Sequence, residues 1–122
     1  MDMRLELVPL PTRDVDRSKQ FYVDQVGFHL DHDVEPGNGL RIVQLTPPGS
    51  ACSVVVGTGM GPADAPAVQG LHLVVDDVDA ARELLRANGV EVSEVSDLGG
   101  GVRYAYFSDP DGNSWALQEI HR

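Results

Sequence analysis

Positive charge is scarce in this 122-residue chain: 9 Lys and Arg stand against 19 Asp and Glu, a formal net charge of −10. Binding nucleic acid takes clustered Lys and Arg to displace counterions from phosphates, and anionic lipid asks for the same. Neither nucleic acid nor a membrane is therefore an expected partner. Long apolar runs are missing too. Stretches such as Val54-Val55-Val56 are a few residues long, against the roughly 20 that a membrane-spanning helix needs. The segment Met1-Asp2-Met3-Arg4-Leu5-Glu6 lacks the apolar core of a secretory signal. Cysteine occurs once, at Cys52, so no disulfide forms within the chain and a reducing, cytoplasmic setting is expected. The length fits one domain with a core of its own.

Against this, the chain repeats itself. Asp14-Val15-Asp16 returns as Asp77-Val78-Asp79, and Pro47-Pro48-Gly49 returns as Pro110-Asp111-Gly112, both 63 residues on. Gly27 and Gly89 close the two helical stretches at nearly the same offset. The chain thus reads as two modules, residues 1–56 and 70–122, joined by a Gly-, Pro- and Ala-rich linker over 57–69. In the first, a strand is expected over 4–10, ending at Pro9 and Pro11. Asp14 then caps a helix with Val15, Phe21, Tyr22 and Val26 at helical spacing. Strands follow near 28–32, 40–46 and 51–56. In the second, Leu71 to Val75 form the first strand, Asp77 caps a helix, and strands are expected near 90–95, 102–108 and 113–120. The order is βαβββ twice, an α+β fold in which each open sheet has a helix on one face and leaves the other free to be concave.

Asp14-Val15-Asp16-Arg17-Ser18 with Phe21-Tyr22 and Gly27-Phe28, and Tyr106-Phe107-Ser108-Asp109-Pro110-Asp111-Gly112-Asn113 before the last strand, resemble the vicinal oxygen chelate superfamily over almost the whole chain. This is the group of glyoxalase I, extradiol dioxygenases, fosfomycin-resistance enzymes and bleomycin-resistance proteins. The resemblance implies two tandem βαβββ modules forming a concave half-barrel. It also implies, for the enzymes, one divalent metal held by His, Glu or Gln on the first and last strands of each module, acting as a Lewis acid. The matching positions here are Leu7, Ser53, Gly70 and Ala116. Leu, Gly and Ala carry no side-chain donor, and a neutral Ser hydroxyl is a poor lone ligand. No metal and no other cofactor is therefore expected.

Strand alternation fills the cup instead with small and apolar residues and a few polar groups, the composition of a small-ligand pocket. Ile42, Gln44, Ser53 and Val55 face it from the first module; His72, Ser114, Ala116 and Gln118 face it from the second, with Ala105 and Phe107 as the repeat equivalents of Ile42 and Gln44. The ligand-binding candidates are His72, Gln44, Gln118, Ser53 and Phe107. Trp115 alternates with Leu117 and is expected in the core, and Glu119 on the helix side. Tyr104 and Tyr106 are placed at the mouth. Asp14, Asp77 and the Pro-Asp-Gly turn have ordinary structural roles as caps and a tight turn.

Three functions are compatible with these residues. The first is a metal-free protein that binds a small organic ligand, as the resemblance to the bleomycin-resistance branch implies, acting as a homodimer with clefts between subunits. The second is a metal-independent isomerase- or lyase-type enzyme with His72 as general acid or base. The third, a metal-dependent glyoxalase or dioxygenase, is opposed by the four non-ligand positions.

Overall fold

The computed structural model describes residues 1–62 and 64–121. The first module runs β1 (Leu7–Pro9), α1 (Val15–Gln20) continuing into a π-helical stretch (Phe21–Val26), β2 (His29–Gly37), β3 (Leu40–Thr46) and β4 (Ser53–Thr58). The second runs β5 (Leu71–Val74), α2 (Val78–Ala87), β6 (Ser96–Asp97), β7 (Val102–Ser108) and β8 (Ser114–Ile120). The two four-stranded sheets have the same topology, β1-β4-β3-β2 and β5-β8-β7-β6. In each, the first strand lies parallel to the last and the other pairs are antiparallel. The fold is α+β, two βαβββ units with open sheets that form a half-barrel.

Each helix begins where an Asp can satisfy its free amides. Asp14 and Asp77 are extended, and their carboxylates accept from Arg17 N at 3.1 Å and Ala80 N at 3.0 Å. Such a cap contributes about 1 kcal/mol. The first helix ends in a widened turn. The Tyr22 carbonyl accepts both Gly27 N at 2.9 Å and Phe28 N at 2.8 Å, and Gly27 takes the left-handed φ of 92° that closes it. Phe21 and Tyr22, neighbours in sequence, are both buried there.

Several strand boundaries differ from the sequence reading, and β4 begins and ends two residues late, at Ser53 and Thr58. The ladder of β1 covers only Leu7–Pro9, with Leu5 exposed. β2 runs on to Gly37, past the expected end near residue 32, and residues 35–39 are largely the tip of the β2–β3 hairpin. Residues 90–95 are not a strand, although Val90 and Val92 are buried. There, Tyr106 N donates to the Ser93 hydroxyl at 2.9 Å instead of a carbonyl, and the ladder is interrupted.

One hydrophobic core joins the modules. Phe21, Tyr22 and Phe28 of the first pack on Phe107 and Trp115 of the second, with Phe28 and Trp115 rings 5.5 Å apart edge to face. The 63-residue repeat reappears in space as a near two-fold: Gln25 Nε2 donates to the Asn88 carbonyl at 3.2 Å, and Asn88 Nδ2 donates to the Gln25 carbonyl at 3.1 Å.

The Asp109-Pro110-Asp111-Gly112-Asn113 turn is more than a turn. The buried Asp109 carboxylate accepts from the Tyr22 hydroxyl at 2.7 Å, Asn113 Nδ2 at 2.8 Å, and the amides of Asp111 and Asn113 at 2.9 Å. Burial, then the adjoining Asp109 charge, pushes the Tyr22 phenol up, so it stays protonated and donates. Trp115 Nε1 in turn donates to the Tyr22 oxygen at 2.9 Å. Asp111 accepts from the Thr12 hydroxyl, the Arg13 amide and the Arg17 guanidinium. The motif is the polar joint between the modules.

Candidate functional site

The helix-free faces of the two sheets hold most of the candidate residues, and each face carries its own polar cluster. In the first sheet, Val43 pairs with Val56 and Leu45 with Val54, all four buried against the helices. Alternation therefore turns Ile42, Gln44, Thr46, Ser53 and Val55 to the concave side, as the sequence reading placed those it named. β2 then departs from regular alternation. Leu30 pairs with Leu45 but His32 with Gln44, so Asp31 is the extra residue of a β-bulge. Its side chain lies among the concave-face residues: the Thr46 hydroxyl donates to Asp31 Oδ2, and Gln44 Nε2 donates to the same oxygen at 3.2 Å.

The Thr46 and Ser53 hydroxyls are 2.6 Å apart. Thr46 spends its proton on the carboxylate, so Ser53 must donate to Thr46 and presents only an acceptor to the face. Hydrogen bonding from Thr46, opposed by partial burial and reinforced by Gln44, holds the Asp31 carboxyl below the usual carboxylate range. Gln44 and Ser53, two of the five ligand-binding candidates, are thus brought together through Asp31 and Thr46. The sequence reading named neither of these two. Thr46 follows the alternation of β3 and was readable; Asp31 was not, because a bulge leaves no signature in a single sequence.

In the second sheet, His72 stands opposite Ala116 and Val74 opposite Gln118 on one side of β8, with Tyr106 and Tyr104 opposite the same two residues on the other. Gln118 Nε2 donates to the Tyr104 hydroxyl at 2.9 Å. The His72 ring sits edge-on to Tyr104, with centroids 5.7 Å apart, and the Tyr104 and Tyr106 rings are parallel at 5.9 Å. His72 Nδ1 lies 2.7 Å from the Gly70 carbonyl, which can only accept, so Nδ1 carries a proton and the neutral ring has its lone pair on Nε2. His72 borders an open depression of about 770 Å³ beside residues 89–93, which Phe107 and Trp115 of the helix side also line, and a second hollow of about 490 Å³ at the free edge of β5, beside Pro47, Pro48 and Leu84. His72 and Gln118 are thereby joined through Tyr104. Among the described residues, no hydrogen bond or ion pair links this cluster to the one around Asp31.

Phe107 is placed differently from the sequence reading. It is 3% exposed, stacked on Trp115 at 6.2 Å and packed against Phe21, on the helix side of its sheet. Ala105 is buried on the same side, opposite Leu117. Both were assigned to the cup by carrying the 63-residue offset from Ile42 and Gln44. That offset holds for β4 and β8 but fails across the hairpin turn. Leu45 pairs with Val54, nine residues on, whereas Ala105 pairs with Leu117, twelve residues on. Three extra residues are an odd number, and an odd shift reverses the face of a strand. Trp115 lies in the core, and Glu119 is on the helix side, accepting from Val78 N at 2.8 Å.

The four positions that correspond to family metal ligands are now defined by register. Leu7 stands opposite Ser53. Its counterpart opposite Ala116 is His72, while Gly70 lies before β5 begins. The first strand of the second module is displaced by two residues, an even shift that preserves the face. These positions therefore offer one imidazole nitrogen and one hydroxyl already committed to Thr46. Among the described residues no three His, Cys, Asp or Glu side chains converge as a metal site. The donors present do not fit a divalent ion, which takes at least three.

Comparison with known proteins agrees with this architecture. TnmS3, an antibiotic binding protein from Streptomyces sp. CB03234, superposes with a TM-score of 0.85 at 36% identity, covering 98% of each chain. A glyoxalase/bleomycin resistance protein from the same organism gives a TM-score of 0.79 at 38% identity over 93% of this chain and 98% of that one. CFP32 of Mycobacterium tuberculosis, named a glyoxylase, is 29% identical over 117 residues, 94% of this chain; the chain spans only 45% of that relative's length. The sequence profile of one family matches residues 4–117. The chain belongs to the Glyoxalase/Bleomycin resistance protein/Dioxygenase superfamily.

Proposed function

We propose that this protein binds a small organic molecule on its concave faces without a metal ion, and that it acts by binding. The observation that carries this reading is the pair of preorganised polar clusters, Asp31–Thr46–Ser53–Gln44 and His72–Tyr104–Gln118, each on an open face bordered by apolar residues. Leu7, Val34, Val74 and Tyr106 are all at least 39% exposed, so these faces have room for a covering molecule. The 36% identity to an antibiotic binding protein over 98% of both chains supports the same class of ligand.

The two modules work as one domain in this reading, and the functional unit is a cytoplasmic homodimer with a cleft between subunits. Among the described residues the outer edges of β1 and β5 have no partner strand, and Met1, Met3 and Leu5 beside β1 are exposed, features that favour pairing with a second copy. Native mass spectrometry after incubation with zinc, nickel, manganese or iron is expected to show two copies of the 13.2 kDa chain and no stoichiometric metal. One tightly held ion per subunit would overturn the metal-free reading.

His72 sustains a second reading, a metal-independent isomerase- or lyase-type enzyme. The Gly70 carbonyl fixes its tautomer and leaves Nε2 free to take a proton from a bound substrate. His72→Ala separates the two. If the protein catalyses, turnover falls at least 100-fold while affinity for the same molecule changes less than about threefold. If it only binds, no turnover exists to lose, and affinity alone reports the substitution.

A further inference from the structure

Asp31 and Asp33 lie two residues apart on β2, and the protein treats them in opposite ways. Asp33, opposite Val43 on the helix side, is fully neutralised: Lys19 Nζ is 2.7 Å from it, and Arg41 reaches both its oxygens at 3.0 and 3.1 Å. Asp31, turned by the bulge to the concave face, has no Lys or Arg partner among the described residues. Its Oδ2 is occupied by Thr46 and Gln44. Oδ1 has His29 Nε2 at 3.7 Å, too far for a hydrogen bond but an ion pair when that exposed ring is protonated, and His32, opposite Gln44 on the same face, is a second imidazole that favours the charged carboxyl. Oδ2 is thus fixed by the hydroxyl pair and Gln44, while Oδ1 accepts no hydrogen bond among the described residues.

A carboxylate is costly to cover with an organic molecule unless the molecule brings a compensating charge. Leu7, Ile42 and Val55, on the same face of the sheet, supply apolar surface that strengthens such an interaction once water is excluded. From this Oδ1, free of hydrogen bonds and of any Lys or Arg among the described residues, we propose that Asp31 is a specificity-determining residue that receives a positively charged nitrogen, a protonated amine or guanidinium, of the bound ligand. The net charge of −10 steers a ligand of that sign toward the protein, and Asp31 supplies the point contact. The inference rests on the concave faces being a ligand site, and its test separates the two.

The test uses two probes of the same shape, 1-naphthylmethylammonium and neutral 1-naphthalenemethanol, titrated into the full chain and into Asp31→Asn. The amine is expected to bind the native protein about tenfold more tightly than the alcohol, and the preference is expected to fall below twofold in the variant. Equal binding of both probes to the native protein, or a preference that survives in Asp31→Asn, overturns the role of Asp31 and leaves the ligand site standing. Failure of both probes to bind at millimolar concentration overturns the ligand site, and the inference with it. Should the variant not fold, the carboxylate carbon-13 resonance of Asp31 in the native protein decides. It shifts with the amine and not with the alcohol if the inference holds, and moves equally or not at all if it fails.

Discussion

Replacing Asp109 by alanine is expected to lower the stability of the protein by about 3–4 kcal/mol, a fall in Tm of roughly 10–20 °C. The carboxylate is buried and accepts four hydrogen bonds, from the Tyr22 hydroxyl, the Asn113 side chain and two turn amides. Among the described residues no cation pairs with it, and these donors replace its hydration. Removing it strands the Tyr22 hydroxyl proton and the Asn113 amide in the joint between modules, and each buried donor left unpaired costs about 1–3 kcal/mol. Tyr22→Phe removes only one of the four donors and leaves Trp115 Nε1 without its acceptor, so a loss of about half that size is expected. Thermal melts followed by circular dichroism check both. A Tm for Asp109→Ala within about 3 °C of the native value would show that the modules are joined by apolar packing alone.

The role of Asp109 illustrates what was and was not legible in the sequence. The order of elements was readable because it depends on local chemistry: Asp14 and Asp77 cap helices, Gly27 and Gly89 follow them, and the repeat carries one module's pattern to the other. That Asp109 and Asp111 tie the turn to Tyr22, Thr12 and Arg17 was not readable, because those partners lie roughly 90 to 100 residues away in sequence. Which face a side chain takes was readable only as far as the counting held. His72 and Gln118 kept the expected face because the second module's first strand slides by an even number of residues. Phe107 changed face because the hairpin turn grows by an odd one. Asp31 escaped because a bulge adds one residue where a regular ladder predicts none. The polar clusters are thus legible in part: Gln44, Ser53, His72 and Gln118 follow from alternation, while the residues that bind them together follow from register.

Phe107→Ala is the sharpest check on that change of face. The ring is 3% exposed and fills space between Trp115 and Phe21, so its removal leaves a cavity in the shared core and is expected to cost about 3–4 kcal/mol. The cost is large because the surrounding rings are held by other contacts: Tyr22 stacks on Phe28 at 5.3 Å, and both meet Trp115 edge-on, so the gap cannot close by a simple collapse. Phe107 does not reach the concave face, where its neighbour Tyr106 stands 45% exposed. Affinity for the naphthyl probes should therefore change less than about twofold in Phe107→Ala, measured well below its melting temperature, while the melting temperature itself falls by roughly 10–20 °C. The opposite pattern, a near-native Tm with probe affinity lost tenfold or more, would put Phe107 in the cup and β7 in the other register. The separation follows from strand geometry: successive residues of β7 serve opposite masters, one the core and the next the ligand face.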